Sequence, residues 1–343
     1  MKSIMKAIFA ICLLFSLIPA FSQSTDSARY FNDKGVEEKN ARRWLVASKY
    51  FDRAISFNST FTEAYINNGH VNLEMRRMDP AMTDFVRANE LDPSNTEVIK
   101  ELMDLYYSYH QYQKAIDFAA KCTKCTSLEK TVAFCYYNLE DYVGAEKILL
   151  KLLPKNSADA EMNYTLGKCY MQMEMNGKAI PYFMKAVELD TTKSTWLFEL
   201  GLLNYATDNY KNAVIYFNKA AEKGFPVSNA FNENLGYAYI YSGDFAKGEK
   251  ILLDILAKKR GNKDILRDIA QIYYDRRLYD KSLEFCQRLM EMDMKDARAL
   301  YQAGLCFQMK GDKERGQQMC DRAIEMDPSL RGLKKKIDTP GGL

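Results

Sequence analysis

The sequence predicts an all-α fold: a solenoid of stacked antiparallel helix pairs. Three observations carry that expectation. Small residues recur along the chain at a nearly constant interval. Apolar residues between them keep helical spacing rather than strand alternation. Gly-Asp and Asp-Pro pairs fall where one helix should give way to the next.

The first small column is Gly35, Gly69, Met103, Ala133, Gly167, Gly201, Gly236, Ala270 and Gly304, with Met103 the bulky exception. Its spacings are 34, 34, 30, 34, 34, 35, 34 and 34 residues. A second column follows: Ala47, Ala81, Ala115, Ala145, Ala179, Ala213, Gly248, Ser282 and Gly316. A third runs Ala54, Ala88, Cys122, Leu152, Ala186, Ala220, Ile255, Leu289 and Ala323. Between the last two lies a bulky column: Phe51, Phe85, Ala119, Leu149, Phe183, Phe217, Leu252, Cys286 and Cys320. Small residues let two helices approach, and the bulky residue fills the space beside them.

Counted from Ala28, Thr62, Thr96, Thr126, Ala160, Ser194, Asn229, Lys263 and Ala297, positions 4, 7, 8 and 11 form one mainly apolar face. In the sixth unit these are Leu197, Leu200, Gly201 and the polar exception Asn204. Asp79-Pro80 reads as an N-cap followed by Pro at the first helical position. Leu91-Asp92-Pro93 and Met326-Asp327-Pro328 end second helices. Gly243-Asp244 and Gly311-Asp312 supply a left-handed C-cap and then an N-cap carboxylate. The join of the third and fourth units, at Lys121–Cys125, is four residues short, so a shortened second helix and a change of superhelical pitch are expected. Pro181 is expected to kink its helix, and Gly224-Phe225-Pro226 to form a longer loop. After Pro328, Ser329 to Ile337 reads as a capping helix with a basic outer face, followed by a loose tail.

These columns resemble the tetratricopeptide repeat family. The best copies are Tyr65, Gly69, Ala81, Phe85, Ala88 and Pro93, and Leu200, Gly201, Ala213, Phe217 and Ala220. Nine consecutive units are covered, residues 28–328. The resemblance implies a right-handed superhelix whose first helices line a concave surface that binds protein or peptide partners. It implies no cofactor.

Residues 1–22 read as a secretory signal peptide: Lys2 and Lys6, an apolar run from Ala7 to Phe21, and Ala20-Phe21-Ser22 before Gln23. Residues 23–27 are a short linker, and 329–343 the cap and tail. The run is too short for a membrane span, and no later stretch approaches that length, so no span is expected after cleavage. Cys12 lies inside the run, behind bulky Ile11, and does not read as a lipid-attachment site. Asn163 sits within a packed helix, where a glycan on Asn163-Tyr164-Thr165 would obstruct folding. The expected compartment is the bacterial periplasm.

The formal charge is +3, and loss of Lys2 and Lys6 leaves 46 basic residues against 45 acidic. That balance gives no electrostatic basis for nucleic-acid binding. With two His and no phosphate loop, zinc-protease motif or nucleophile elbow, the sequence reads as non-catalytic and metal-free. His70 lies on the first-helix surface stripe and His110 in a turn, both as ordinary polar residues. Cys135, Cys169 and Cys306 share the tenth position of their units, and Cys286 and Cys320 replace bulky core residues. Buried small hydrophobe is the default for all, Cys122 included. In an oxidising compartment Cys122–Cys125 and Cys286–Cys306 are the pairs to test for disulfides.

A second stripe runs along the first helices, away from the core face. The expected partner-binding residues on it are Phe134, Tyr137, Tyr164, Met171, Phe198, Leu202, Tyr205, Tyr237, Tyr241, Tyr274 and Tyr301. Large aromatics suit a recognition surface; the leading expectation is that they face water, and the alternative, since position 12 borders the core stripe, is that they serve packing. The family's two-carboxylate clamp is missing from the first three units, where Asn32, Val36, Asn67, Glu97 and Glu101 stand at its positions. Arg267, Gln271 and Gln302 imitate it loosely in the eighth and ninth. The leading expectation is an exported scaffold that binds partners through this groove. One alternative is a structural subunit of a periplasmic or outer-membrane assembly, and another a redox or chaperone accessory acting through Cys122 and Cys125. Partner identity and oligomeric state do not follow from the sequence.

Overall fold

The computed structural model describes residues 26–122, 125–258 and 263–332. The expected signal peptide, most of the linker, the expected capping helix from residue 333 on and the tail lie outside the described residues. The described residues are all-helical, with eighteen α-helices, three 3-10 turns and no strand. The chain divides into two compact units, one ending at Met175 and one beginning at Asn176.

The first unit holds α1 (26–40), α2 (Trp44–Phe57), α3 (Thr62–Glu74), α4 (Met78–Leu91), α5 (Thr96–Ser108), α6 (Tyr112–Lys121), α7 (Glu129–Asn138), α8 (Tyr142–Leu152) and α9 (Ala160–Gln172). The second holds α10 (Asn176–Leu189), α11 (Ser194–Ala206), α12 (Tyr210–Glu222), α13 (Asn229–Ser242), α14 (Phe245–Lys258), α15 (Lys263–Asp275), α16 (Tyr279–Met292), α17 (Ala297–Met309) and α18 (Lys313–Met326). Odd-numbered helices are the first helices of the repeats. Within each unit successive helices pack on one another, and α5 also meets α7, α7 meets α9, and α15 meets α17. Within each unit these first helices therefore sit side by side.

The small columns are close-approach points. A Cβ built on Gly69 would lie 2.8 Å from Phe85 Cζ, and one on Gly201 2.6 Å from Phe217 Cδ1. Phe51, Phe85, Phe183 and Phe217 are fully buried, and truncating one to Ala should cost about 3–5 kcal/mol. In the ninth repeat a Cβ on Gly316 would meet the Gly304 carbonyl oxygen at 2.5 Å, so there backbone rests on backbone and no side chain can yield.

Every repeat turns the same way between its two helices. Arg42, Arg76, His110, Glu140, Glu174, Asp208 and Arg277 have φ between 56° and 62°. Gly243 and Gly311, at 101° and 100°, occupy the same place. The Arg76 amide donates to the Leu73 carbonyl and the Arg77 amide to Asn72, each at 2.8 Å. The corresponding pair of bonds closes every other turn of the series. It is the double C-cap bond that satisfies the last carbonyls of a helix.

Several expectations are corrected. Arg77, not Asp79, stands at the N-cap of α4, and Pro80 is its third residue. Pro80 still falls among the four amides that need no intrahelical acceptor, and the Asp79 carboxylate accepts the Tyr109 hydroxyl instead. The helix α10 continues through Pro181. Shortening is seen where expected, with α6 only 10 residues long. Cys122 and Cys125 form a disulfide, so Cys122 is not a buried core thiol. Cys286 and Cys306 are separate buried thiols. Cys306 Sγ donates to Ser282 Oγ at 3.2 Å, and that hydroxyl donates to the Ala270 carbonyl at 2.7 Å. At the end of the last repeat a 3-10 turn, Pro328–Leu330, seats buried Leu330 against Tyr301, Cys320 and Ile324.

Candidate functional site

The expected aromatic stripe is less open than helical spacing alone suggested. In the first unit Phe134 is 9% exposed, and the Lys130 ammonium lies 5.4 Å from its ring centroid. Tyr137, Tyr164 and Met171 are half-buried. In the second unit Tyr301 is only 4% exposed and belongs to the core. Phe198 stacks on Phe225 at 4.3 Å and approaches Phe217 and Phe231 at 5.6 Å, so it closes an aromatic cluster under the long loop. Leu202, Tyr205, Tyr237, Tyr241 and Tyr274 are half-buried.

The tyrosines at position 12 have a partner that sequence reasoning missed. Each packs against the first residue of the following helix, five positions on. The ring centroids of Tyr107 and Tyr112 are 5.6 Å apart, of Tyr137 and Tyr142 5.8 Å, of Tyr205 and Tyr210 5.3 Å, and of Tyr274 and Tyr279 5.6 Å. The signal was present as a second tyrosine column at the same interval. In the second unit Tyr241 joins one pair, stacking on Tyr210 at 4.8 Å. Beside it the Tyr237 hydroxyl donates to Asp268 Oδ2 at 2.7 Å. Burial pushes the Tyr205 and Tyr274 hydroxyls up to about 12, so this surface carries neutral phenols at neutral pH.

A cleft of about 640 Å³ opens on the first-helix layer of the second unit, between α15, α16, α17 and the terminal 3-10 turn. Its wall brings together Arg267, Gln271 and Gln302, the three residues of the loose clamp, and adds Asp264, Asp268 and Arg298. Arg267, however, is already engaged. Its Nη1 donates to Asp264 Oδ1 at 2.9 Å and its Nη2 to Asp296 Oδ2 at 2.8 Å. Gln271 Nε2 donates to Asp275 Oδ1 at 2.8 Å. The guanidinium charge is cancelled inside the protein, which removes the electrostatic basis for clamping a carboxylate. Two donors in this wall, Arg267 Nε and Gln302 Nε2, are buried without an acceptor. Such atoms are rare and costly in folded proteins.

In the first unit Lys130 repeats the Arg267 arrangement. Its ammonium lies 2.8 Å from Asp159 Oδ2, while Asp159 Oδ1 accepts the Met162 amide at 2.9 Å. Asn32, Asn67, Lys39 and Glu63 bond one another. His70 Nε2 lies 2.9 Å from Glu97 Oε1, and His110 Nδ1 2.6 Å from the Tyr112 hydroxyl. Among the described residues no three His, Cys, Asp or Glu side chains converge as a metal-binding group, and no helix is long and apolar enough to cross a membrane.

The fold is that of a helical-repeat protein built from stacked helix pairs. Tetratricopeptide repeat profiles match residues 62–95, 160–193 and 297–330, and a further one residues 233–297. The chain belongs to the tetratricopeptide repeat family. It is similar to anaphase-promoting complex subunit 3 of Schizosaccharomyces pombe, 29% identical over 161 residues, covering 46% of this chain and 24% of that one. It is also similar to human protein O-mannosyl-transferase TMTC1, 25% identical over 160 residues, covering 47% of this chain and 18% of that one. The chain thus spans about a quarter or less of these relatives. Among solved structures, the C-terminal part of a TPR repeat-containing protein from Cytophaga hutchinsonii aligns with a TM-score of 0.54 at 19% identity, over 69% of this chain and 97% of that one. YrrB, a TPR protein with an unusual peptide-binding site, aligns at 0.38 and 21%, over 54% and 97%. The fold is consistent with protein–protein interaction, and proteins of this family are mostly non-catalytic scaffolds.

Proposed function

We propose that this protein is an exported, non-catalytic scaffold that binds a protein or peptide segment on the first-helix layer of its second unit. The observation that carries the reading is the α15–α17 cleft, where two buried donors lack acceptors. An occupant bringing acceptor oxygens would meet a need the protein leaves open. The half-buried tyrosines 205, 210 and 241 lie in the same unit and offer rigid contact area next to polar hydroxyls. Export to the periplasm is supported by the Lys2/Lys6 and Ala20-Phe21-Ser22 pattern.

The test is selection from a displayed random-peptide library on the purified protein, followed by hydrogen-exchange footprinting of the winning peptide. Protection along α15 and α17 is expected. A library that yields no binder, or a footprint on the even-numbered helices, favours instead a subunit that assembles through its edges.

A further inference from the structure

Thiol chemistry among the described residues is concentrated at one place. Cys135, Cys169, Cys286, Cys306 and Cys320 are all buried, and burial pushes the Cys135, Cys169 and Cys286 thiols up to about 12. A thiol so held is neither accessible nor ionised, and both are needed for exchange. Cys122 and Cys125 differ. Both are partly exposed, and they are joined to each other. Beside them is a cleft of about 260 Å³ walled mainly by Ile116, Ala119, Leu128 and Val132. An incoming chain could rest apolar side chains there while its sulfur reaches the disulfide.

The position in the fold gives the bond a consequence. Cys122 ends α6, its amide donating to the Ala119 carbonyl at 3.1 Å. Cys125 leads into the 3-10 turn Thr126–Leu128, its carbonyl accepting the Leu128 amide at 3.0 Å. This is the join at which the repeat has lost four residues, and α6 has only 10. The disulfide fastens the shortened helix to the start of the next repeat.

We propose that Cys122–Cys125 is a reversible thiol–disulfide site that exchanges with a dithiol partner and, when reduced, loosens the join between the third and fourth repeats. A thiolate of the partner attacks one sulfur of the pair. The Sγ–Sγ bond breaks, and its electron pair leaves on the other sulfur, which takes a proton from water. The partner's second thiol loses its proton and displaces the remaining protein sulfur, which is protonated in turn. The pair gains two electrons and two protons, and the partner dithiol becomes a disulfide.

The experiment treats the native protein with dithiothreitol, quenches with N-ethylmaleimide and maps adducts by peptide mass. Both Cys122 and Cys125 should be labelled while the five buried cysteines stay unlabelled. The reduced protein should keep its thermal transition but exchange amide hydrogen around α6 and the 3-10 turn roughly tenfold faster. With glutathione disulfide, Cys125→Ser should trap a mixed disulfide on Cys122. A pair that stays oxidised in dithiothreitol until the protein unfolds overturns the proposal. So does labelling spread over all seven described cysteines, or reduction that leaves exchange at the join unchanged.

Discussion

Arg267 donates to Asp296 Oδ2 at 2.8 Å, while the other oxygen of that carboxylate accepts the Ala299 amide at 3.0 Å and caps α17. One side chain thus ties the eighth repeat to the ninth and starts the ninth's first helix. The Asp296 side chain is 3% exposed and that of Arg267 31%. Replacing Asp296 by Ala removes a cap and leaves Arg267 with only the exposed Asp264 carboxylate, a combined loss of about 2–4 kcal/mol. Asp296→Asn keeps the cap and should lose about half as much. Urea midpoints of the two variants separate the contributions.

Asp84 makes stability pH-dependent. Burial pushes its carboxyl up to about 6, partly opposed by Asn72 Nδ2, which donates at 3.0 Å, and reinforced by Asp52. Because the folded value exceeds the unfolded one, the folded state holds the proton more tightly. Stability from this group therefore rises as pH falls from above 6 towards 4. The rise corresponds to at most about 3 kcal/mol, which partial solvent access reduces to about 1–2. Asp84→Asn should raise the thermal midpoint at pH 7 and lose that advantage by pH 4.

The left-handed turn residues give a third prediction. Gly243→Ala forces a Cβ into φ 101° and should cost about 1–2 kcal/mol. Arg76 already has φ 57° and is exposed. Arg76→Gly should be neutral to stabilising by about 0.5 kcal/mol, since relief of strain slightly outweighs the entropy of the freer unfolded chain. Paired thermal melts of the two variants check the sign.

Water-facing tyrosines at 205 and 237 would tolerate truncation with little loss of stability. Tyr205 instead lies edge-on to Tyr210 at 5.3 Å, and Tyr237 donates to Asp268. Tyr205→Ala should cost about 1–2 kcal/mol. Tyr237→Phe should cost about 1 kcal/mol for the lost hydrogen bond. Chemical denaturation of both variants measures this directly.

Much of the fold was legible because its determinants are side-chain volumes. Gly69 against Phe85 and Gly201 against Phe217 leave a size signature in sequence. The turn column left one only at Gly243 and Gly311. At Arg42, His110 or Asp208 a positive φ is imposed by the double cap, and composition does not record it. The stripe was misjudged because helical angle locates a residue on its own helix but not the tyrosine that reaches over from the next. Arg267 was read towards a ligand because its competitor, Asp296, stands 29 residues away and acts through a cap that only the fold brings near.

The most direct measurement of the scaffold reading is the affinity of a library-selected peptide for the native protein and for Gln302→Leu, with the thermal midpoint taken on the same samples. Gln302→Leu removes from the cleft wall a buried donor that has no acceptor oxygen. The account predicts a dissociation constant raised at least tenfold, about 1.4 kcal/mol, with a midpoint that holds or rises. Unchanged affinity with an unchanged midpoint would contradict it and move the binding surface away from α15 and α17.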